Sequence, residues 1–374
     1  MSLFHKQESY LGVDIGADGI KVVELKKTKN RPQLWTYGVA HYPIDIHPPA
    51  ISQTASIIQD DAVRDQVKQE DIAALQALDG RVKEYSEVLK RLLREAKVTT
   101  RRAMASLPVS HVFHTVITLP PVDPKEVAHH VEAKIKKMLP RPLEEMQVVH
   151  QVIPDGPEEK EKFLRVLVTA APKWLVSLYT RVFQQAGLVL EELETEAFAL
   201  ERSLVGREKQ AVMVIDIGAE RSNFFIIHQG LPLTHRSVHI GGKMYNAILA
   251  DALKIPVDDV EQVKKDLSSV SASDIPASLF SSVIEPIIKE VEYGMDIFAH
   301  QTGNDGQKIE KIVLTGGASL FPLVLATLQQ RFTCKSFIGD PWARVIYQQG
   351  IKDVLDTMGP QMAVSIGLAM RHFE

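Results

Sequence analysis

The chain has 374 residues, 45% of them hydrophobic and 24% charged, enough for two or three domains with real cores. A net charge of −4 excludes a global basic field that would recruit nucleic acid, and the one cysteine, Cys334, excludes an intrachain disulfide and points to the cytosol. The N-terminal segment is polar and no window reaches about 18 consecutive apolar residues, so neither a secretory leader nor a membrane span is expected.

Tyr10 to Leu25 reads as a β-hairpin around a glycine turn, Gly16 to Gly19, and Gln33 to Tyr42 as a third strand. His47 to Gln69 is polar, with Pro48-Pro49, and reads as a loop followed by an exposed helix. Leu78 to Lys97 places Val82, Tyr85, Val88, Leu89, Leu92, Leu93 and Ala96 at helical spacing. Arg102–Leu107 and Val112–Leu119 are strands that end at prolines, and Asp123-Pro124 starts a helix over Lys125–Met138. Gln147–Ile153 and Phe163–Ala171 are two further strands, joined by the charged turn Pro154–Lys162. Arg102 to Ala171 thus reads as an α+β module inserted into a larger domain, which the helix Lys173–Ala186 and the strand Leu188–Leu193 complete.

The second half repeats the scheme. Ala211–Gln229 is a hairpin, Pro232–Ile240 a strand, and Gly241-Gly242 opens a helix. A long helix over Ser281–Ala299, a strand over Lys311–Thr315 and helices over Phe321–Phe332 and Pro360–Arg371 follow. Cys334 reads as a strand residue between the last two helices. Hairpins alternating with helices, twice over, argue an α/β fold.

The chemistry lies in a repeat. Asp14-Ile15-Gly16-Ala17 returns as Asp216-Ile217-Gly218-Ala219, each copy between two apolar runs. The distance between the copies indicates two similar domains. A glycine turn exposes backbone N–H groups to a phosphate, and its acid can hold a cation. One aspartate alone would read as bonding its own turn; two in matching contexts favour Mg2+. Gly16 and Gly218 serve either a plain hairpin or close phosphate approach. The apolar strand that runs into Gly316-Gly317-Ala318 leaves bare backbone for a base or ribose. Glu196 either orients water or metal at the cleft floor or is an acid stabilised by a helix dipole. Gly241-Gly242 precede a helix start, a place where anions or ribose bind. Glu261 and Lys264, at i, i+3, either flank a base or form an exposed ion pair. The basic run Lys134, Lys136, Lys137 and Arg141 is a solvated helix face or a docking surface. The histidines show no metal-ligand spacing, and there is no serine or cysteine nucleophile elbow.

These motifs, in this order, resemble the actin-like ATPase superfamily. Asp14–Gly19 is similar to its first phosphate motif, Asp216–Asn223 to the second and Thr315–Ser319 to the adenosine motif. The insert after Leu107-Pro108 is similar to the displaced subdomain of the FtsA and PilM families. Ile20-Lys21-Val22-Val23-Glu24-Leu25, Met138-Leu139-Pro140 with Leu143-Glu144-Glu145, and Glu196-Ala197-Phe198-Ala199-Leu200 favour the PilM family of type IV pilus assembly proteins. FtsA carries a C-terminal amphipathic membrane helix, whereas here the last helix belongs to the fold.

The resemblance implies four subdomains: 9–101 with 172–208 (IA), the insert 102–171 (IC), 209–240 with 308–374 (IIA) and the helical 241–307 (IIB). It implies that Gly16, Ala17, Lys21, Gly218, Ala219, Ser222, Asn223, Gly241, Gly242, Glu261, Lys264, Gly316, Gly317 and Ala318 hold ATP or ADP, and that Asp14 and Asp216 hold Mg2+. It implies a cytoplasmic assembly protein that captures the N-terminal tail of a PilN-like inner-membrane protein between IA and IC, is drawn to the membrane by it, and works beside the pilus motor ATPase. Family members usually place Ser or Thr behind the turn glycines. Here Asp18 and Glu220 add negative charge, which Mg2+, Lys21 or Arg221 would have to offset. The expectation is therefore weak nucleotide binding with slow or absent ATPase activity. An FtsA-like filament protein is the alternative, and a small-molecule kinase is less favoured because no acid has a claim to the base role. The segment 47–80 has no functional account from sequence.

Overall fold

The computed structural model describes residues 8–29, 31–45, 61–153, 163–260, 263, 273, 275–300 and 307–373. Two five-stranded sheets share one strand order. The first contains β1 (Ser9–Gly16), β2 (Gly19–Lys26), β3 (Gln33–His41), β4 (Arg102–Leu107) and β8 (Val189–Thr195), in the order β3-β2-β1-β4-β8. The second contains β9 (Ala211–Ile217), β10 (Ser222–His228), β11 (Leu231–Val238), β12 (Ile309–Thr315) and β13 (Lys335–Ile338), in the order β11-β10-β9-β12-β13. In each, the first three strands are antiparallel hairpins and the last two run parallel to the first.

Among the described residues the α-helices are α1 (Asp61–Glu95), α2 (Val127–Ile135), α3 (Lys173–Gln185), α4 (Glu196–Leu200), α5 (Gly242–Leu253), α6 (Ser281–His300), α7 (Pro322–Arg331) and α8 (Lys352–Ala369). They make a layered stack, because each strand alternates its side chains between two apolar faces. Leu11, Val13 and Ile15 of β1 pack with α1 and α3 on one outer face. Met213 and Ile215 of β9 pack with α5, α6 and α7 on the other. Between the sheets lie α4 and α8, where Ala199 and Leu368 meet Met104, Val214 and Phe225. Glycine permits this closeness: a Cβ on Gly12 would overlap the Ser365 carbonyl of α8, and one on Gly367 would overlap the Ala199 carbonyl of α4.

A buried carboxylate ties the first sheet to the loop after α1. Glu24 accepts from the hydroxyls of Ser9 and Thr99 and, at 2.7 Å, from the Thr99 amide. This explains an acid inside the apolar run of β2.

The insert is a third sheet, β5 (Phe113–Leu119), β6 (Met146–Val152) and β7 (Leu164–Pro172), in the order β5-β7-β6, with α2 on one face. The expected start of the insert at residue 102 is corrected: β4 pairs with β1 and β8, so it belongs to the first sheet and the insert follows Leu107. The insert leans on the second sheet through His114. Its Nε2 donates to the Pro232 carbonyl at 2.7 Å, which leaves Nδ1 to accept from the Thr169 hydroxyl at 3.0 Å. The His235 ring of β11 lies 5.3 Å from it, centroid to centroid.

Other differences have local causes. The helices expected separately before and after residue 70 are one, α1; 47–60 and the turn 154–162 lie outside the described residues. Asp123 caps a turn, accepting from the Lys125 amide at 2.8 Å, and α2 begins only at Val127. Cys334 lies one residue before β13. Pro360 was expected to start the last helix but sits inside α8. Proline denies the Asp356 carbonyl its i→i−4 donor, and the Pro360 carbonyl itself turns to β12, accepting from the Thr315 hydroxyl at 2.8 Å and the Gly316 amide at 2.9 Å. The proline carbonyl thus joins α8 to the strand end.

Candidate functional site

The C-terminal ends of β1 and β9 face each other across a cleft of about 850 Å3. The two copies of Asp-Ile-Gly-Ala meet there but turn differently. Gly16 pairs with Gly19, so the first turn is a tight hairpin over Ala17 and Asp18. The second runs over 218–221 and is closed by the Gly218 amide donating to the Arg221 carbonyl at 2.9 Å. Both are braced from behind through their carbonyls. Tyr42 and Ile44 donate to Asp18 and Ala17 at 3.1 and 3.2 Å; Gly242 and Lys243 donate to Gly218 and Ala219 at 2.9 and 2.8 Å. Among the described residues the amides of Ala17, Asp18 and Ala219 have no acceptor, which suits an anionic oxygen in the cleft.

Four titratable groups converge on the floor. Lys21 donates to Asp14 at 3.1 Å. Burial opposes the Lys21 charge, yet Asp14, then Asp216 and Asp18, hold it above the usual lysine range. Burial, reinforced by Asp14, pushes the Asp216 carboxyl up to about 6. Burial, then Asp216 and Asp14, lifts Glu196 well above the carboxylate range. Glu196 opens α4 and accepts from Asn223 Nδ2 at 3.3 Å and the Val109 amide at 3.5 Å. Two acids raised above their usual range, beside Asp14 and one lysine, form a cluster whose negative charge a divalent cation would compensate.

The structure brings together Asp14, Gly16, Ala17, Lys21, Asp216, Gly218, Ala219, Asn223, Gly242, Gly316, Gly317 and Ala318 on the cleft wall. Ser222 is not on it: its hydroxyl is buried and donates to the Ile240 carbonyl at 2.7 Å. Gly241 stands behind the wall, where a Cβ would lie 2.6 Å from the Ala219 carbonyl. The start of α5 is therefore a buttress for the second turn, since its first amides are spent on turn carbonyls. Glu261 and Lys264 lie outside the described residues. Gly316 adopts φ +89° and leaves no room for a side chain against Asp216, whereas Gly317 is open to the cleft.

Sequence reasoning missed the partners of Asp18 and Glu220. Asp18 bonds with His41 Nδ1 at 3.0 Å and Glu220 pairs with Lys243 at 2.7 Å, so each acid has a partner side chain at the cleft. It also missed the aromatic side wall, where the rings of Tyr245 and Phe321 lie 5.0 Å apart at a tilt of 53°, beside Phe280. The one sequence signal for these residues is that Lys243 directly follows Gly241-Gly242 and Tyr245 comes two residues later.

A family model for the type IV pilus assembly protein PilM matches residues 58–373. The chain belongs to the PilM family. The model begins after the first turn, but structural similarity extends over it. A solved PilM-PilN type IV pilus biogenesis complex matches with a TM-score of 0.74 and 23% identity, covering 98% of both chains. The ethanolamine utilization protein EutJ from Carboxydothermus hydrogenoformans matches with a TM-score of 0.50 and 14% identity, over 97% of this chain and 89% of that one. The fold is the actin-like ATPase fold. Among the described residues no helix is long and apolar enough to cross a membrane.

Proposed function

We propose that this PilM-family chain is a nucleotide-binding docking protein of a type IV pilus or related secretion machine. It holds ATP or ADP with Mg2+ between the two turns and captures the N-terminal tail of a PilN-like inner-membrane protein, which recruits it from the cytoplasm to the membrane face. The observation that carries the nucleotide half is the convergence of Asp14, Lys21 and Asp216 beneath turn amides that have no acceptor among the described residues. A divalent cation between the aspartates would relieve their mutual repulsion, and the amides would meet the phosphates. Glu196 is the acid placed to orient water.

The docking half is supported by the family and by the matched complex, which pairs PilM with PilN. The insert offers β6 as an edge strand, paired only to β7 among the described residues, with Val149 61% exposed. An extended tail could add main-chain hydrogen bonds there. Calorimetric titration with a peptide copying a PilN-type N-terminus, and separately with Mg·ADP and Mg·ATP, tests both halves. No peptide binding removes the docking reading; no nucleotide binding in the presence of Mg2+ removes the other.

A further inference from the structure

The repeat is longer than its four matching residues. Both copies continue with an acid, Asp18 in the first turn and Glu220 in the second. Each acid takes a base from the segment that braces its own turn. His41 ends β3, directly before the Tyr42 amide that holds the Asp18 carbonyl. Lys243 opens α5, and its amide holds the Ala219 carbonyl. All four side chains belong to residues of the cleft wall. An acid bonded to a basic side chain 23 residues further on, on both sides of one cleft, is a built feature of the duplicated design rather than a chance surface contact.

Two acids alone would repel a phosphate chain. Their bases are 68% and 53% exposed for His41 and Lys243, so the pairs are loosely held and exchange readily. Resting on the nucleotide reading above, we infer that Lys243 and His41 are phosphate-binding residues, and that Glu220 and Asp18 are their resident counter-anions, displaced when a nucleoside di- or triphosphate enters with its divalent cation. The phosphates replace each carboxylate as acceptor, from opposite walls, and supply the charge-assisted bonds that Ser or Thr hydroxyls would otherwise contribute at the turns. A ligand without phosphates displaces neither pair. The site therefore selects by phosphate charge and not by the sugar or base alone.

The test is a binding cycle on the full chain, by calorimetry with Mg·ADP and with adenosine. Lys243→Ala is expected to weaken Mg·ADP about tenfold, the effect of one charge-assisted bond. Glu220→Gln, which frees the lysine and removes a repulsive charge, is expected to tighten it several-fold. The deciding variant is the double one. If Lys243 binds phosphate, Lys243→Ala still weakens Mg·ADP about tenfold when Glu220 is already Gln. Loss of that effect shows the lysine to be only the partner of Glu220 and overturns the inference. A matching loss of adenosine affinity overturns it too, because the residue would then act on the pocket as a whole. Wild type that binds Mg·ADP while Lys243→Ala and His41→Ala bind it equally well refutes this inference alone; wild type that binds no nucleotide refutes the nucleotide reading and this with it.

Discussion

Replacing Asp216 by asparagine is expected to stabilise the unliganded protein while abolishing Mg·nucleotide binding. Burial first, and Asp14 second, raise this carboxyl from 3.8 to about 6, net of the opposing pull of Lys21 and Asn223. The folded state therefore holds the proton more tightly than the unfolded chain does. Below the unfolded value nothing is lost; as pH rises from 3.8 to about 6 ionisation progressively disfavours the fold; above that the penalty is complete. A shift of roughly two units at about 1.36 kcal/mol each sets an upper figure of about 3 kcal/mol. Cleft water screens part of this, so about 2 kcal/mol is expected from the uncharged isostere at pH 7.5. Thermal denaturation should show a midpoint several degrees higher, by about 2–4 °C per kcal/mol, and the gain should roughly halve by pH 5 as the wild-type carboxyl takes up its proton. Calorimetry with Mg·ADP should show no binding by the same variant. A variant that is less stable than wild type, or one that binds Mg·ADP normally, would refute the assignment of Asp216 as a strained cation ligand.

Gly316→Ala is expected to lose about 2 kcal/mol or more in urea denaturation, because φ is +89° and the added Cβ overlaps Asp216 Oδ1 and the Ile217 carbonyl. Glu24→Ala strips the acceptor from Ser9 and Thr99 in a buried place and should cost about 3 kcal/mol by the same assay. His235, held down to about 4 by burial and by His114, stays neutral in the fold while the unfolded ring protonates near 6.5. The contribution of His235 is flat above 6.5 and should fall by about 2 kcal/mol on going down to pH 5, with faster amide exchange in β5 and β11; His235→Gln should remove that part of the pH dependence relative to wild type.

Much of the fold is legible in the chain because the signals are local. Alternating apolar residues announce the strands around Val13 and Val214, and glycine marks the turns at Gly16 and Gly218. The spacing of Val82, Tyr85 and Leu89 announces the buried side of α1. The duplicated Asp-Ile-Gly-Ala places Asp14 and Asp216 in equivalent positions, and both line the cleft. Where local signals conflict with distant partners they mislead. Pro360 reads as a helix start, but its carbonyl is taken by Thr315 and Gly316, so the helix tolerates it. Arg102–Leu107 reads as part of the insert, but nothing in six residues encodes that its neighbours are β1 and β8.

The sequence by itself determined the two-fold plan, the α/β class, the glycine turns and the two facing aspartates, since each follows from periodicity or from the backbone freedom of single residues. Only the tertiary structure decided the charge of the site. It set Glu196 against Asn223, buried Ser222 under Ile240, turned the first amides of α5 towards the second turn, and gave Asp18 and Glu220 to His41 and Lys243. Hydrogen bonds and ion pairs act over about 3 Å and depend on which segments the packed sheets bring together, and that proximity is a property of the whole fold rather than of any stretch of chain.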